Sequence, residues 1–360
     1  MRCSGAPGFT LVELLIAMGI SLVLMSGAYT LFLQSRKVIE SAVKTVDMNQ
    51  NLRAGADLII RDLKVAAAGI PIGGVPLPSG TGCRAVTRPG PASPAATFSN
   101  CTAGSMGVLP AISPGQGLGP TQYNGQHSDE ITMINVDQTF AVNNVPVALA
   151  PTSMTADPPG CTSSCQGWIL TVPALPSIAA DSTTAVNVGD IFMFSNSNGA
   201  ALGMVTAVNP TANTITFDNG DPLELNQPNA AAGTLSNLRS GMPMVYPQTV
   251  AYKILMTSYY LDTSKPGNPR LMQQIGNGTP MAVADGINVL TMSYDLSDGV
   301  TTDVQDVLSL IPHTPNEIRK VNLSIAANSQ RLSNGLRKIF VSAINTAVTI
   351  RDLAYRNNYK

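Results

Sequence analysis

The chain has 360 residues, of which 44% are hydrophobic and only 12% are charged, so it carries less charge than an ordinary soluble protein. Its 21 Lys and Arg balance 22 Asp and Glu, and the net charge of −1 supplies no positive field for a phosphate backbone, which argues against nucleic acid as a partner. The two histidines, His127 and His313, are far apart in the chain, which disfavours a histidine metal site or a serine–histidine relay. We therefore expect neither an enzyme nor a bound cofactor.

The first predicted element is an apolar helix near the N-terminus. Residues 9–33 contain one charged side chain, Glu13, and no proline. At 1.5 Å per residue, a helix of this length crosses a bilayer. The short leader before it, residues 1–8, carries Arg2, and positive charge ahead of a span keeps that end in the cytoplasm. The sequence predicts a transmembrane segment over residues 9–33, with the rest of the chain on the outer side.

Glu13 is unusual inside this apolar run. A carboxylate near the middle of a membrane costs ~2.5–3.5 kcal/mol on insertion scales unless it has a partner. Two simpler interpretations are a secretory signal cut after the small residues 26–28 and an uncut single-pass anchor, and both leave the carboxylate without a role. We therefore expect Glu13 to have a function in the membrane.

Residues 8–15, Gly-Phe-Thr-Leu-Val-Glu-Leu-Leu, resemble the cleavage motif of type IV pilins and type II secretion pseudopilins. The resemblance implies that a membrane prepilin peptidase cuts after Gly8 and methylates the new N-terminal residue, Phe9. It also implies that Glu13 pairs with the N-terminal amine of a neighbouring subunit. Opposite charges attract strongly at low dielectric, and a subunit out of register would leave both desolvated. The leader departs from the family pattern in having Pro7 directly before the glycine.

Beyond the apolar run the helical periodicity continues and becomes amphipathic. No proline occurs between residues 9 and 70, and Gly69 followed by Pro71 is typical of a helix stop. The sequence predicts one helix over residues 9–68, roughly 90 Å long, whose second half packs on a sheet. The alternative is a membrane helix followed by a separate coiled coil. The apolar positions expected to face the sheet are Ile39, Val43, Val46, Leu52, Ala56, Ile59, Leu63 and Ala66.

The rest of the chain is predicted to form a Gly/Pro-rich loop region, residues 69–129, and a β-rich globular head, residues 130–360. Within the head, residues of about 180–247 are expected to form an inserted β-rich segment. Alternating apolar and polar residues predict an antiparallel sheet that is open to the helix on one side. The fold class is therefore α+β and resembles that of type IV pilins. The predicted strands are 130–136, 168–172, 190–194, 204–208, 213–218, 250–261, 271–275, 287–294, 318–326 and 339–350.

A second resemblance covers the C-terminal half of the chain. The order of elements in residues 250–254, 284–295, 318–323 and 336–352 resembles that of PilW-like minor pilins, and J-type pseudopilins of type II secretion share part of it. Major pilins are commonly much shorter, which favours a minor pilin with a large head. The family usually ends near an Arg-Asn pair, whereas this chain has Arg-Asp at residues 351–352.

These resemblances imply a structural subunit that takes part in type IV pilus assembly, in a priming or tip complex. The implied partners are other major and minor pilins, the prepilin peptidase and the inner-membrane assembly platform. The expected location is the inner membrane with a periplasmic head before assembly, and the pilus or cell surface afterwards. Two alternatives stay open, a J-type pseudopilin of type II secretion and a tip adhesin whose head binds a ligand.

The cysteines fit an oxidising compartment. Cys3 lies in the leader and is expected to leave with it, which leaves four cysteines and three possible pairings. We expect the local pairs Cys83 with Cys101 and Cys161 with Cys165, because each brackets a Gly/Pro-rich loop that has little core of its own. Zinc held by four thiolates is the alternative, although the spacings are weak for it.

A run of acidic residues in the C-terminal half is the other candidate for a metal-binding site. Asp295, Asp298, Asp303 and Asp306 surround Gly299, and clustered carboxylates bind Ca²⁺ in some pseudopilins. The run lacks the spacing of an EF-hand loop. We therefore interpret it as a solvated loop, with Asp295, Asp298 and Asp303 as weak calcium candidates.

The cysteine pairing is testable on protein taken from the membrane. If the head folds in the periplasm, the four cysteines of the mature chain should resist a thiol label until they are reduced, because disulfides form in that compartment. Peptide mapping should then join Cys83 to Cys101 and Cys161 to Cys165. Four freely labelled thiols, or bound zinc, would contradict the prediction.

Overall fold

The computed structural model of the protein describes residues 8–91, 96–98, 101, 107–122, 125–140, 145–151, 167–171, 186–239, 246–265, 267–328 and 341–353. Its first element is one continuous helix, α1 (Leu11–Val65), which confirms the long helix predicted from the sequence. The helix ends at Ala66, and Ala67 and Gly69 follow with φ of 71° and 76°. Ala67 has already left the helix before Gly69, and glycine adopts the left-handed conformation at little cost, so Gly69 suits the tight turn that follows the helix.

α1 packs on the head only through its second half. The expectation that its apolar stripe faces the sheet from Ile39 onward is wrong, because Ile39, Val43 and Val46 are 59%, 52% and 52% exposed. Within the described residues, the first buried side chain of the helix is that of Met48, and the residues before it are exposed or half-buried. The buried positions recur three or four residues apart and share one face. They are Met48, Leu52, Gly55, Ala56, Ile59 and Leu63.

The head consists mainly of β-strands, and nine of the ten predicted strands coincide with observed ones within a few residues. The strand predicted over 204–208 is wrong, because the chain leaves its partner β7 at Met204 and pairs with β10 from Ala207. The described strands are β1 (Val75–Pro76), β2 (Val108–Leu109), β3 (Ile112–Gly115), β4 (Glu130–Val136), β5 (Val145–Pro151), β6 (Gly167–Thr171), β7 (Ile191–Asn196), β8 (Gly199–Met204), β9 (Ala207–Asn209), β10 (Thr214–Asp218), β11 (Thr249–Asp262), β12 (Arg270–Ile275), β13 (Met281–Asp285), β14 (Ile287–Leu296), β15 (Ile318–Asn328) and β16 (Val341–Thr349).

β11 is the central strand of an eleven-stranded antiparallel sheet. It pairs with β4 and β5 along one edge and with β12 and β7 along the other. β7 belongs to the segment expected as an insertion, so that segment contributes a strand to the centre of the sheet. β14, β15 and β16 form a second antiparallel sheet of three strands. One long helix with an antiparallel β-rich head is the α+β, pilin-like fold that the sequence predicts.

α1 lies over the junction between the two sheets. β13 of the large sheet leads into β14 of the small one through Gly286, whose φ is 76°. A Cβ on Gly55 would lie 3.0 Å from the side chain of Leu271, 3.1 Å from Ala284 and 3.9 Å from Ile325. These three residues belong to β12, β13 and β15, so the absence of a side chain at Gly55 lets the helix approach both sheets.

A polar contact fixes the last turn of α1 against the large sheet. Asp62 Oδ2 accepts hydrogen bonds from the Tyr259 hydroxyl at 2.7 Å and from Gln273 Nε2 at 3.1 Å. Tyr259 is buried, and its burial together with the Asp62 carboxylate raises the pKa of the phenol, which therefore stays protonated and donates. Gln273 also donates to the tyrosine oxygen at 2.8 Å. The helix is thus held by directional bonds as well as by apolar packing.

The region before β4 is fastened to the large sheet by a buried ion pair. Arg88 Nε lies 2.9 Å from Glu130 Oε1, and only 4% and 0% of the two side chains are exposed. The guanidinium also donates to the backbone oxygens of Pro114 and Ser113 at 2.8 and 2.7 Å. Burial raises the pKa of the Glu130 carboxyl, and the charge of Arg88 opposes that rise. This network holds part of the region over residues 69–129 that the sequence predicts to be loops. In the structure that region also contains the short strands β1 to β3.

A disulfide bond joins Cys83 to Cys101, with 5.9 Å between the two Cα atoms. It is the pairing expected from the sequence for this loop. It closes the stretch of chain that carries Arg88, and so limits how far that loop can move in the unfolded chain. Cys161 and Cys165 lie outside the described residues, and their pairing stays a prediction.

Removing the Asp62 carboxylate should destabilise the packing of α1 on the head. Asp62→Ala leaves the buried hydroxyl of Tyr259 without its acceptor, and we expect a loss of about 1–3 kcal/mol in the free energy of unfolding. Asp57→Ala is the matched control, since Asp57 is exposed on the same helix and should change stability by less than about 0.5 kcal/mol. Urea unfolding of the full chain in detergent measures both. Equal losses in the two variants would show that the Asp62 contact contributes nothing.

Candidate processing and assembly site

The first residues of α1 form a capping box. Thr10 is the N-cap, with an extended backbone at φ −82° and ψ 151°. Its hydroxyl accepts a hydrogen bond from the Glu13 backbone N–H at 3.3 Å, and Glu13 Oε2 accepts from the Thr10 backbone N–H at 3.0 Å. Each residue therefore accepts a hydrogen bond from the backbone N–H of the other, which would otherwise lack a partner in the helix. The acidic side chain of Glu13 lies at the positive end of the helix dipole.

The Glu13 side chain also has a contact within its own subunit that was not anticipated. The Thr10 hydroxyl lies 3.0 Å from Glu13 Oε2, so one carboxylate oxygen has two neighbours from Thr10. The sequence contains the signal for this contact, because Thr-x-x-Glu before an apolar run is the capping-box pattern. Neither partner group carries a positive charge. The ionic partner expected for Glu13 from a neighbouring subunit stays a prediction.

The predicted cleavage point lies just before the helix. Gly8 and Phe9 precede the first helical residue, and Phe9 is 83% exposed. No heavy atom lies within 4 Å of the position that a Cβ on Gly8 would take. The peptide bond between Gly8 and Phe9 is therefore open on all sides in the described chain. Residues 1–7 of the leader lie outside the described residues.

The helix that follows is long and apolar enough to cross a membrane by length and composition. Its most apolar stretch has a mean hydropathy of 2.1, and none of that stretch is buried inside the protein. Large apolar side chains from Leu11 to Phe32 are more than half exposed. A soluble protein would not leave so much continuous apolar surface in water, so this half of α1 requires an apolar environment.

Residues 4–29 match a family model described as the prokaryotic N-terminal methylation motif. The match includes Gly8, Phe9, the capping box and the apolar start of α1. The motif supports a type IV pilin-like protein. Among curated proteins and solved structures, none matches the chain. The matched segment is a small share of the 360 residues, so the assignment rests on the N-terminus. The long helix and the β-rich head are consistent with a pilin-like fold.

Proteins with this motif are structural rather than catalytic, and the motif implies interaction with other pilins and with the prepilin peptidase in general. The motif and the exposed apolar helix together fit membrane anchoring before assembly. Cleavage between Gly8 and Phe9, and the pairing of Glu13 with a neighbouring subunit, stay predictions.

The weak calcium candidates have other partners in this fold. Asp295 accepts hydrogen bonds from Lys320 Nζ at 2.7 Å and from Asn322 Nδ2 at 2.9 Å. Asp298 accepts from backbone N–H groups of its own turn, and Asp303 accepts from the Ser293 hydroxyl. Within the described ranges, no group of three or more His, Cys, Asp or Glu is arranged to hold a metal ion. The carboxylates shape the loop that follows β14.

Cleavage should depend on Gly8 and on no other glycine of the apolar segment. The mature protein should begin with N-methylated Phe9. Gly8→Leu should leave the leader attached, because a side chain at this position would block the close approach of the peptidase to the backbone. Gly27→Leu is the matched control, because a Cβ on Gly27 also has no heavy atom within 4 Å. This variant should be cleaved normally. Intact-mass measurement and N-terminal sequencing of membrane-extracted protein decide the outcome. A mature start near residue 29 would indicate a conventional signal peptide.

Proposed function

We propose that the protein is a minor pilin that takes part in type IV pilus assembly as a subunit of the priming or tip complex. The observation that carries the proposal is the capped, exposed carboxylate of Glu13 at the start of a helix whose apolar half is not covered by the described residues. A membrane accommodates the apolar surface, but it does not supply a counter-charge for Glu13. The amine of Phe9 from an adjacent pilin supplies both the charge and the correct register.

The size and shape of the head support a minor role. An eleven-stranded sheet, a three-stranded sheet and a fastened loop region form a large mass around one helix. Such a head is bulky for a repeating shaft subunit, whereas it suits a subunit present in a few copies. The resemblance to PilW-like proteins rests on residues that lie in β11, in β13 and β14, in β15 and partly in β16.

The proposed location follows from the same parts of the molecule. The apolar half of α1 anchors the unassembled subunit in the inner membrane, with the head in the periplasm. The Cys83–Cys101 disulfide supports an oxidising compartment for the head. After assembly the helix lies in the filament and the head is displayed on the pilus.

Removing the charge of Glu13 should stop assembly but not membrane insertion or cleavage. Glu13→Gln keeps an oxygen that can accept from Thr10 and lacks only the charge, and Glu13→Val removes both. We expect surface fibres to fall steeply in both variants, because the approaching amine would be desolvated without a counter-charge, a cost of several kcal/mol. Thr10→Ser, which keeps the capping hydroxyl, is the control. Normal fibre number in Glu13→Gln would show that only helix capping matters.

Deleting the gene separates the minor pilin from the alternatives. For a priming subunit, fibre counts should drop while the major pilin accumulates in the inner membrane. Fibres that persist with attachment lost would indicate a tip adhesin, and lost protein secretion with normal fibres would indicate a J-type pseudopilin. Normal fibres, attachment and secretion would contradict all three functions.

A further inference from the structure

The outer face of the three-stranded sheet carries a cleft of about 460 Å³. Its floor includes Thr291, Ser324 and Asn345, which are direct cross-strand neighbours on β14, β15 and β16. The residues that alternate with them, such as Leu290 and Ile325, face the core under α1. The cleft therefore opens away from the helix, and burying α1 in a membrane or filament leaves it accessible.

One wall of the cleft is a loop that folds back over β14. The backbones of Tyr294 and Val304 exchange two hydrogen bonds of 2.8 and 3.0 Å. Asp303 adopts a positive φ of 58°, which is uncommon for a residue other than glycine, and its carboxylate accepts a bond from the Ser293 hydroxyl. Its backbone N–H donates to Asp295 Oδ1 at 3.0 Å. These contacts hold Asp303 and the neighbouring Gln305 in place at the edge of the cleft.

Several polar side chains in the cleft have unused hydrogen-bonding capacity. Within the part of the chain that the structure describes, the side chains of Thr291, Gln305, Ser324 and Asn345 form no hydrogen bond. Two other polar side chains that line the cleft are occupied, since Asn322 donates to Asp295 and Ser293 donates to Asp303. Each free hydroxyl or amide offers both a donor and an acceptor. Four such groups around one cleft are suited to a ligand that is rich in hydroxyl groups.

The charged groups that line the cleft and the pairing of the strands on its floor limit the kinds of ligand that it can bind. Among the described residues that line the cleft, Asp303 is the one ionisable group, and none is Lys, Arg or His. An anionic ligand would find no counter-charge. Because β15 is paired along both edges, an extended peptide cannot add to it as a further strand. A neutral ligand recognised by side chains fits these constraints best.

We propose that this cleft binds a neutral saccharide through Thr291, Ser324, Asn345 and Gln305. Its volume lies within the ~300–1,000 Å³ of typical small-molecule sites. The exposed methyl group of Ala347 offers apolar surface for the C–H face of a sugar ring. This inference goes beyond the proposed function, since it gives the head of an assembly subunit a glycan ligand. It does not depend on Glu13 or on processing.

Glycan binding by the full chain tests the proposal. The protein should be held in a zwitterionic detergent without a sugar headgroup, probed on an array of neutral, acidic and basic glycans, and titrated with the neutral glycan that binds best. We expect Asn345→Ala and Ser324→Ala each to weaken binding about tenfold or more. Thr349→Ala is the matched control, because Thr349 is exposed on β16 two positions beyond Ala347 and does not line the cleft; binding should stay within about twofold.

Three results would overturn the proposal. They are the absence of binding to every neutral glycan, binding confined to charged glycans, and neutral binding that Asn345→Ala and Ser324→Ala leave unchanged. Displacement of the bound glycan by polar peptides would assign the cleft to a peptide ligand instead. Fibre counts in the Asn345→Ala strain should equal those of the wild type, so failure of glycan binding is distinguishable from failure of the assembly function.

Discussion

The docking of α1 across the junction of two sheets is the contact on which the rest of the head depends. Leu52, Ile59 and Leu63 bury their side chains there, and each contributes ~1.5–3 kcal/mol of apolar burial. Gly55 allows the helix to touch the large and the small sheet together. The small sheet has only three strands, so its apolar face needs the helix as a cover.

This docking divides one helix into two parts with different environments. The part from Met48 onward belongs to the core of the head, whereas the part before it has apolar side chains that the subunit does not cover. The helix is continuous, so a force on its membrane end is carried directly into the head. The Asp62 contact with Tyr259 and Gln273 resists sliding of the helix, because hydrogen bonds depend on direction and apolar packing does not. Such a contact suits the proposed function, in which the subunit is drawn from the membrane into a filament.

The outer surface of the head is organised by carboxylates that act locally. Asp295 and Asp303 position the loop after β14, and that loop forms the wall of the cleft on the small sheet. Elsewhere in the head, the buried Arg88–Glu130 pair and the Cys83–Cys101 disulfide hold a long segment with few regular strands. Polar contacts there add to the apolar packing of residues such as Leu77, Val86 and Ile112.

Local signals in the sequence predict the long helix and most of the strands, because helical periodicity and strand alternation are present in short stretches of chain, and the Gly8 to Glu13 pattern predicts the N-terminal site in the same way. The capping contact of Glu13 could also have been predicted, since Thr10 stands three residues before it. The exposure of Val43 and Val46, and the entry of β7 into the centre of the large sheet, follow only from the packing of distant parts of the chain. The tertiary structure alone placed Ser324 and Asn345 side by side at one cleft. Such pairings join residues distant in the chain, and their register depends on packing that no short stretch of sequence records.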